Sequence, residues 1–226
     1  MHLYVRQHAT VRVGDLIDTI EYDYPAFHLS MDCFWCEVAS GELKLLEAEA
    51  ARWLTKEELD SAENGIPRFQ QWDERWGYLT YGNDNIGING CGPTCLSMVY
   101  VYFTHDLNGT PREIASYCEK NGYYTENGTS WSLWTEGLPA LGLSGKELPL
   151  VENSMKTALD QGKLIVCSMR PGDFTTSGHY ILLYDYDDTG FCVKDPNRVS
   201  NSSRTWDYDT LSPQIKNLWT ISPTGF

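Results

Sequence analysis

Gly90-Cys91-Gly92-Pro93-Thr94 opens an apolar series, Cys95, Met98, Val99 and Tyr102, whose spacing of three and four residues predicts a helix from Cys91 to about Thr104. Cys91 therefore stands at a helix start, where first-turn N–H groups have no intrahelical acceptor and favour an anion. Pro93 is tolerated there for the same reason. Gly90 and Gly92 remove bulk on both flanks, which predicts close approach of a substrate backbone. Cys95 lies one turn deeper on the same face and is expected to pack beneath Cys91.

Two further groups downstream suit a cysteine nucleophile. Gly178-His179-Tyr180 opens the apolar run Ile181-Leu182-Leu183-Tyr184, so His179 is expected at the rim of a central strand. Val193-Lys194-Asp195-Pro196-Asn197 ends the next strand, and strand adjacency would bring Asp195 beside the imidazole to fix its tautomer from the far ring nitrogen. Asn197 is the rival orienter, since an amide does the same work. His105, by contrast, follows a helix and reads as a solvent-facing end residue.

Around these positions the apolar period changes along the chain. After a loop rich in Trp, Gly and Asn (72–90), helices are predicted over Cys91–Thr104, over Pro111–Lys120 with Thr110 as cap and Glu113 closing the capping box, over about Trp131–Ala140, and after Glu152-Asn153-Ser154 as far as Gln161. Strands follow at Lys163–Met169, His179–Asp185, Phe191–Asp195 and about Lys216–Ile221. Helices first and antiparallel strands afterwards predict an α+β domain. Trp72, Trp76, Trp131 and Trp134 fall in loops or short helices and are candidates to line a groove.

The N-terminal part has another texture. Residues 10–38 alternate on both sides of Tyr24-Pro25-Ala26-Phe27 and predict a long two-stranded hairpin. A short strand at Leu43–Leu46, a helix starting at Thr55 with Glu58 closing its box, and a linker over 61–68 complete the segment. The expected domains are 1–66 and 67–226. Cys33-x-x-Cys36 lies inside the strand pattern, where i and i+3 face opposite sides, and no second pair completes a four-ligand zinc site; it reads as structural. No metal and no cofactor is expected.

Bulk composition narrows the partners. Lys plus Arg total 17 against 31 Asp plus Glu, a formal net charge of −14, which argues against a phosphate-backbone partner and so against nucleic acid. No stretch nears the ~18 apolar residues of a membrane span, and Met1–Arg6 is followed by no apolar signal core, so neither membrane insertion nor export is expected and a cytoplasmic location is inferred. Seven cysteines in a chain of this length read as reduced thiols rather than a disulfide framework.

Together, Gln71-Trp72-Asp73-Glu74-Arg75-Trp76, Gly90-Cys91-Gly92-Pro93-Thr94, Gly178-His179-Tyr180 and Asp195-Pro196-Asn197 resemble the C39-like branch of papain-fold cysteine peptidases over roughly residues 69–222. Thr205–Tyr208 and Gln214–Trp219 resemble the closing strands of such domains. The resemblance implies a papain-like fold with an N-terminal hairpin and helix appended. It also implies Cys91 as nucleophile, His179 as general base and acid, Asp195 as orienting carboxylate and Gln71 as oxyanion donor, with Gln70 as its neighbouring alternative. Val13–Tyr22, Met31–Glu37 and Ala51–Thr55 resemble the part of a Nudix hydrolase that follows its catalytic helix. The Nudix signature itself does not occur, so this resemblance implies origin rather than diphosphatase chemistry.

The expected function is thiol-dependent hydrolysis of a peptide or related amide bond through an acyl-enzyme on Cys91. Alternatives are a non-catalytic domain that binds peptide or cell-wall fragments, and acyl transfer by the same three residues to an amine or thiol. A marginal two-stranded ribbon with an apolar face predicts docking in cis or pairing in a homodimer through the N-terminal segment.

Overall fold

A long hairpin and a six-stranded sheet flanked by helices organise the chain. The computed structural model describes residues 9–24, 27–41, 65–126 and 128–225. The chain divides into two compact units, Met1–Leu54 and Thr55–Phe226. The strand anticipated at Leu43–Leu46 and the helix starting at Thr55 lie outside the described residues.

The first unit is the predicted hairpin. Strands β1 (Ala9–Tyr24) and β2 (Phe27–Gly41) pair antiparallel, with Tyr24 opposite Phe27 at the end of the register, as the sequence suggests. Irregularities in register fall between Val13 and Leu16 and between Leu16 and Asp18, where Gly14-Asp15 interrupts the alternation. Cys33 and Cys36 both belong to β2.

In the second unit, a miniature ladder comes first: β3 (Thr80–Tyr81) with β4 (Asp84–Asn85), leading straight into the one-turn helix α1 (Ile86–Asn89). Helix α2 (Cys91–Thr104) follows, then α3 (Pro111–Lys120), both with the bounds the periodicity gave. Thr110 caps α3 by accepting from the Glu113 N–H, and Pro111 occupies its first turn. His105 ends α2 as an exposed cap in the left-handed region, φ 57°, as an end residue in solvent. Beyond α3 lie β5 (Tyr124–Thr125) and β6 (Gly128–Thr129).

The predicted helix over Trp131–Ala140 is instead two short 3₁₀ turns, Trp131–Trp134 and Pro139–Leu141. The N–H of Gly137 reaches back to the carbonyls of Ser132 and Leu133, and Pro139 starts the second turn, so no α-helical ladder runs through. Strand β7 (Leu143–Glu147) was not anticipated, because Leu-Ser-Gly-Lys-Glu carries no alternation of apolar residues. Helix α4 (Glu152–Asp160) begins earlier than read, with Glu152 in its first turn.

Strands β8 (Leu164–Met169), β9 (His179–Asp187), β10 (Gly190–Lys194), β11 (Thr205–Trp206) and β12 (Ile215–Pro223) join β7 in the order β11-β10-β9-β8-β12-β7, every neighbour antiparallel. The one-turn helix α5 (Tyr208–Leu211) sits between β11 and β12. All six residues of β8 are buried, because this strand lies inside the sheet with both faces covered. Its parity sorts the core: Leu164 and Val166 pack with α2, Trp134 and Trp219, whereas Ile165 and Cys167 pack with Met155 and Ala158 of α4. The architecture is therefore α+β, as expected.

The first-part linker ends earlier than the sequence suggested. Ile66 is 1% exposed and belongs to the α2-side core, and Pro67 is buried too, so residues 66–67 are part of the second unit's packing. Among the described residues no helix is long and apolar enough to cross a membrane.

Candidate active site

Helix α2 is buried on every face from Gly92 to Val99, between α3 and β9. Burial on all sides fixes the helix and so fixes the position of its first residue, Cys91. Glycines on either side of Cys91 serve this packing. A Cβ on Gly90 would strike Ile86 O, and one on Gly92 would meet Thr129 Cβ and Oγ1 at 2.7 Å. The space expected to admit a substrate backbone is therefore already filled by the protein's own α1 and β6.

His179 is the first residue of β9, where Met169 of β8 is its cross-strand partner. Asp195 follows the last residue of the adjacent strand β10. The imidazole Nε2–H donates to Asp195 Oδ1 at 2.8 Å, with His179 7% and Asp195 1% exposed. This leaves Nδ1 for the thiol, and Cys91 and His179 line the same cleft, close enough for each to shift the titration of the other. The structure thus brings Cys91, His179 and Asp195 into one line.

Electrostatics follow from that line. Burial pushes the Cys91 thiol up, but the hydrogen bond and positive charge of His179, with the N–H groups of Tyr180 and Gly92, outweigh it and hold the thiol below its ordinary range. Burial opposes the charged imidazole, yet the hydrogen bonds to Asp195 and Cys91 push His179 up to about 9. Asp195 is raised by burial and lowered more by its hydrogen bond to His179, so it is held below the usual carboxylate range. Cys95, Cys118, Cys167 and Cys192 all move the opposite way, with burial as the leading cause, and Cys118 is pushed up to about 12. Cys95 is fully buried beneath Cys91, as its spacing implied.

Asp195 has further partners that the sequence did not disclose. Its Oδ1 also accepts from the backbone N–H of Asn197 at 2.8 Å and of Arg198 at 3.1 Å, while Oδ2 accepts from Asn201 Nδ2 at 2.7 Å. Ser202 Oγ accepts the Asp195 N–H at 2.8 Å. Asn201 is itself 7% exposed and accepts the Trp206 indole N–H on its carbonyl at 2.9 Å. Only the six-residue spacing from Asp195 could have flagged it, and that spacing means nothing until Val199–Ser203 winds into a 3₁₀ turn. Asn197, the rival orienter, is exposed; its N–H holds the carboxylate and its carbonyl accepts the Trp72 indole N–H at 2.8 Å.

Gln71 is buried beside this line, but its amide donors are engaged elsewhere. Nε2 donates to the carbonyls of Gly87 at 2.9 Å and Ile88 at 3.3 Å, and the Gln71 backbone N–H donates to Pro196 O at 2.7 Å. In this arrangement Gln71 ties α1 to the Asp195-Pro196 corner rather than facing an oxyanion. Gln70, the alternative, donates to Asp195 O at 3.3 Å. The four tryptophans also divide: Trp76 and Trp134 are buried in the core, while Trp72 and Trp131 are 51% and 41% exposed.

Cys91 and His179 open on a cleft of about 1080 Å³. Its lining draws on the β3–β4 and β5–β6 ladders and α1, with Asp84, Asn89 and Glu126, and on the ends of β8, β9 and β12, with Ser168, Arg170 and Lys216. Among the described residues no cluster of His, Cys, Asp and Glu suits a metal ion.

Residues 63–222 match the Peptidase_C39 like family, well over half of the chain. The chain belongs to that family. Similar solved structures include the peptidase domain of Streptococcus ComA, described as a bi-functional ABC transporter involved in a quorum-sensing pathway, at 17% identity and a TM-score of 0.45, covering 60% of this chain and 93% of that one. A putative C39-like peptidase from Bacillus anthracis is similar at 13% identity and a TM-score of 0.44, covering 70% of this chain and 94% of that one. No curated protein matches. The C39-like match does not reach the hairpin, and the resemblance of residues 1–60 to Nudix hydrolases gains no support from these comparisons.

Proposed function

We propose that this C39-like, papain-type domain hydrolyses a peptide or related amide bond through an acyl-enzyme on Cys91. The observation that carries the reading is the buried hydrogen bond from the His179 imidazole to Asp195 Oδ1, with Cys91 lining the same cleft as that imidazole. A thiol that is lowered while Cys95, Cys118, Cys167 and Cys192 are raised is what a nucleophile requires and a packing residue does not.

In this reading Cys91 and His179 rest as thiolate and imidazolium. The sulfur attacks the carbonyl carbon, and the developing oxyanion is met by the Cys91 backbone N–H at the first turn of α2. Gln71 joins as second donor by releasing Ile88 O, the longer of its two acceptors. His179 then gives its proton to the leaving amine as the C–N bond breaks. The neutral imidazole takes a proton from water, hydroxide attacks the acyl carbon, and the carboxylate product leaves as the thiolate returns. Asp195 stays ionised throughout and keeps the ring oriented. Residues 67–226 carry this chemistry, and residues 1–66 are assigned a non-catalytic structural role.

The test is labelling by a small alkylating reagent at neutral pH, read by mass spectrometry, alongside digestion of a peptide mixture. Cys91 should label faster than the other cysteines, and Cys91→Ala should abolish cleavage. Equal labelling of several thiols, or cleavage that persists in the variant, refutes the reading.

A further inference from the structure

We propose that the sheet-side wall of the cleft holds a carboxylate of the substrate through Arg170 and Lys216. The inference rests on the peptide-hydrolysis reading for its functional meaning, but its recognition chemistry stands on separate residues. Arg170 directly follows Met169, and Met169 pairs with His179 on one side and with Ile215 on the other. Lys216 sits at the irregularity between Ile215 and Asn217, where β12 slips register against β8. Backbone pairing therefore sets two cations at the end of the sheet that also presents His179. The Arg170 N–H donates to Gln214 O at 2.7 Å, which pins this corner.

Both side chains are exposed within the cleft, and neither forms an ion pair among the described residues. In a chain of net charge −14, two cleft cations that no carboxylate pairs among the described residues are placed for an anion from outside. Lys216 is steadied by the ring of Trp131, 5.3 Å from its ammonium. That ring is held edge-on by buried Trp219, with centroids 5.5 Å apart. The guanidinium of Arg170 supplies the planar fork that matches a carboxylate.

The part of the lining that comes from the β3–β4 and β5–β6 ladders has the opposite sign. Asp84 and Glu126 are exposed there and line the same cleft. A peptide in the cleft is thus drawn by its carboxylate toward the sheet and repelled from the ladders, which gives it one orientation past Cys91. The carboxylate has two possible sources, an Asp or Glu side chain or the C-terminus of the peptide. The acidity of the whole chain points away from acidic substrates, but the cleft wall reverses that preference locally, because screening confines distant charges to about a Debye length.

The experiment is affinity selection from a random heptapeptide mixture on immobilised Cys91→Ala protein, prepared once as free acids and once as C-terminal amides. Carboxylate-bearing peptides should be enriched about fivefold over neutral ones at low salt, as two exposed charge contacts imply, and the preference should fade in about 0.5 M salt. Arg170→Gln/Lys216→Gln should remove it, and Arg170→Glu/Lys216→Glu should select Lys- or Arg-bearing peptides instead. Enrichment that survives amidation assigns the side chain, and enrichment lost on amidation assigns the terminal carboxylate. No enrichment in either form, or enrichment unchanged by the double substitutions, overturns the proposal. Hydrolysis of the same mixture by the native protein is read separately. Its failure would sink the peptidase reading while leaving the selection result intact.

Discussion

His179 Nε2 and Asp195 Oδ1 lie 2.8 Å apart with almost no solvent at either group. Their contact keeps the imidazole charged against the cost of burial, and the charged imidazole in turn lowers the Cys91 thiol. The pH dependence follows directly. Activity should fall in acid as the Cys91 thiolate takes a proton, at a pH below the ordinary thiol range. It should fall again in alkali as His179 loses its proton through about 9 and no acid remains for the leaving amine. Asp195→Asn should bring both limbs toward each other and lower the rate about 10²–10⁴-fold. A profile of rate and of Cys91 alkylation against pH checks both outcomes.

Asn201→Ala should act through the carboxylate. It strips Asp195 Oδ2 of its donor at 2.7 Å in a buried site, at a cost of about 1–3 kcal/mol. Asn201→Asp should be worse, because it sets two carboxylates in contact. A loss of packing alone would lower the melting temperature and leave the Cys91 alkylation profile in place. A positioning role moves that profile to higher pH as well, and this is the expected result. The pH dependence of stability should change with it. Asp195, held below its ordinary value of 3.8, contributes stability that is present above that pH and lost as acid titrates it.

Gly92→Ala and Gly178→Ala should differ although both glycines flank a proposed catalytic residue. The new Cβ at Gly92 would press on Thr129 at 2.7 Å, whereas nothing lies within 4 Å of one at Gly178. Overpacking should destabilise Gly92→Ala by about 1–3 kcal/mol and displace the start of α2. Thermal melts together with Cys91 labelling measure both effects, and equal behaviour of the two variants would contradict the packing argument.

Truncation should depend on where the cut falls. Removing residues 1–54 takes away the first compact unit and should leave Cys91 labelling unchanged. Removing residues 1–66 also takes Ile66 out of the α2-side core and should cost about 2–4 kcal/mol more. Denaturant unfolding of the two fragments measures the difference, and the oligomeric mass of each tests pairing through the N-terminal segment.

The sequence by itself determined the elements whose signals are local. Cys91–Thr104 and Pro111–Lys120 appeared with their bounds because Gly90, Thr110 and Pro111 mark starts that backbone chemistry enforces. Runs such as Leu164–Met169 read as strands because a strand covered on both faces has no polar alternation. The order Cys91, His179, Asp195 could likewise be read, since each residue stands at the end of a recognisable element. Only the tertiary structure decided the rest. Leu143–Glu147 becomes a strand because β12 offers it an edge, and Gly145 fits because a Cβ there would strike Trp134 O. Gln71 proved to brace α1, and Asn201 proved to hold Asp195, through contacts spanning a folded corner. Arg170 and Lys216 became one feature only when β8 and β12 paired. A side chain's spare hydrogen-bond donors and its net surroundings are set by neighbours distant in sequence. Helix starts and strand periods, by contrast, are written in residues next to one another.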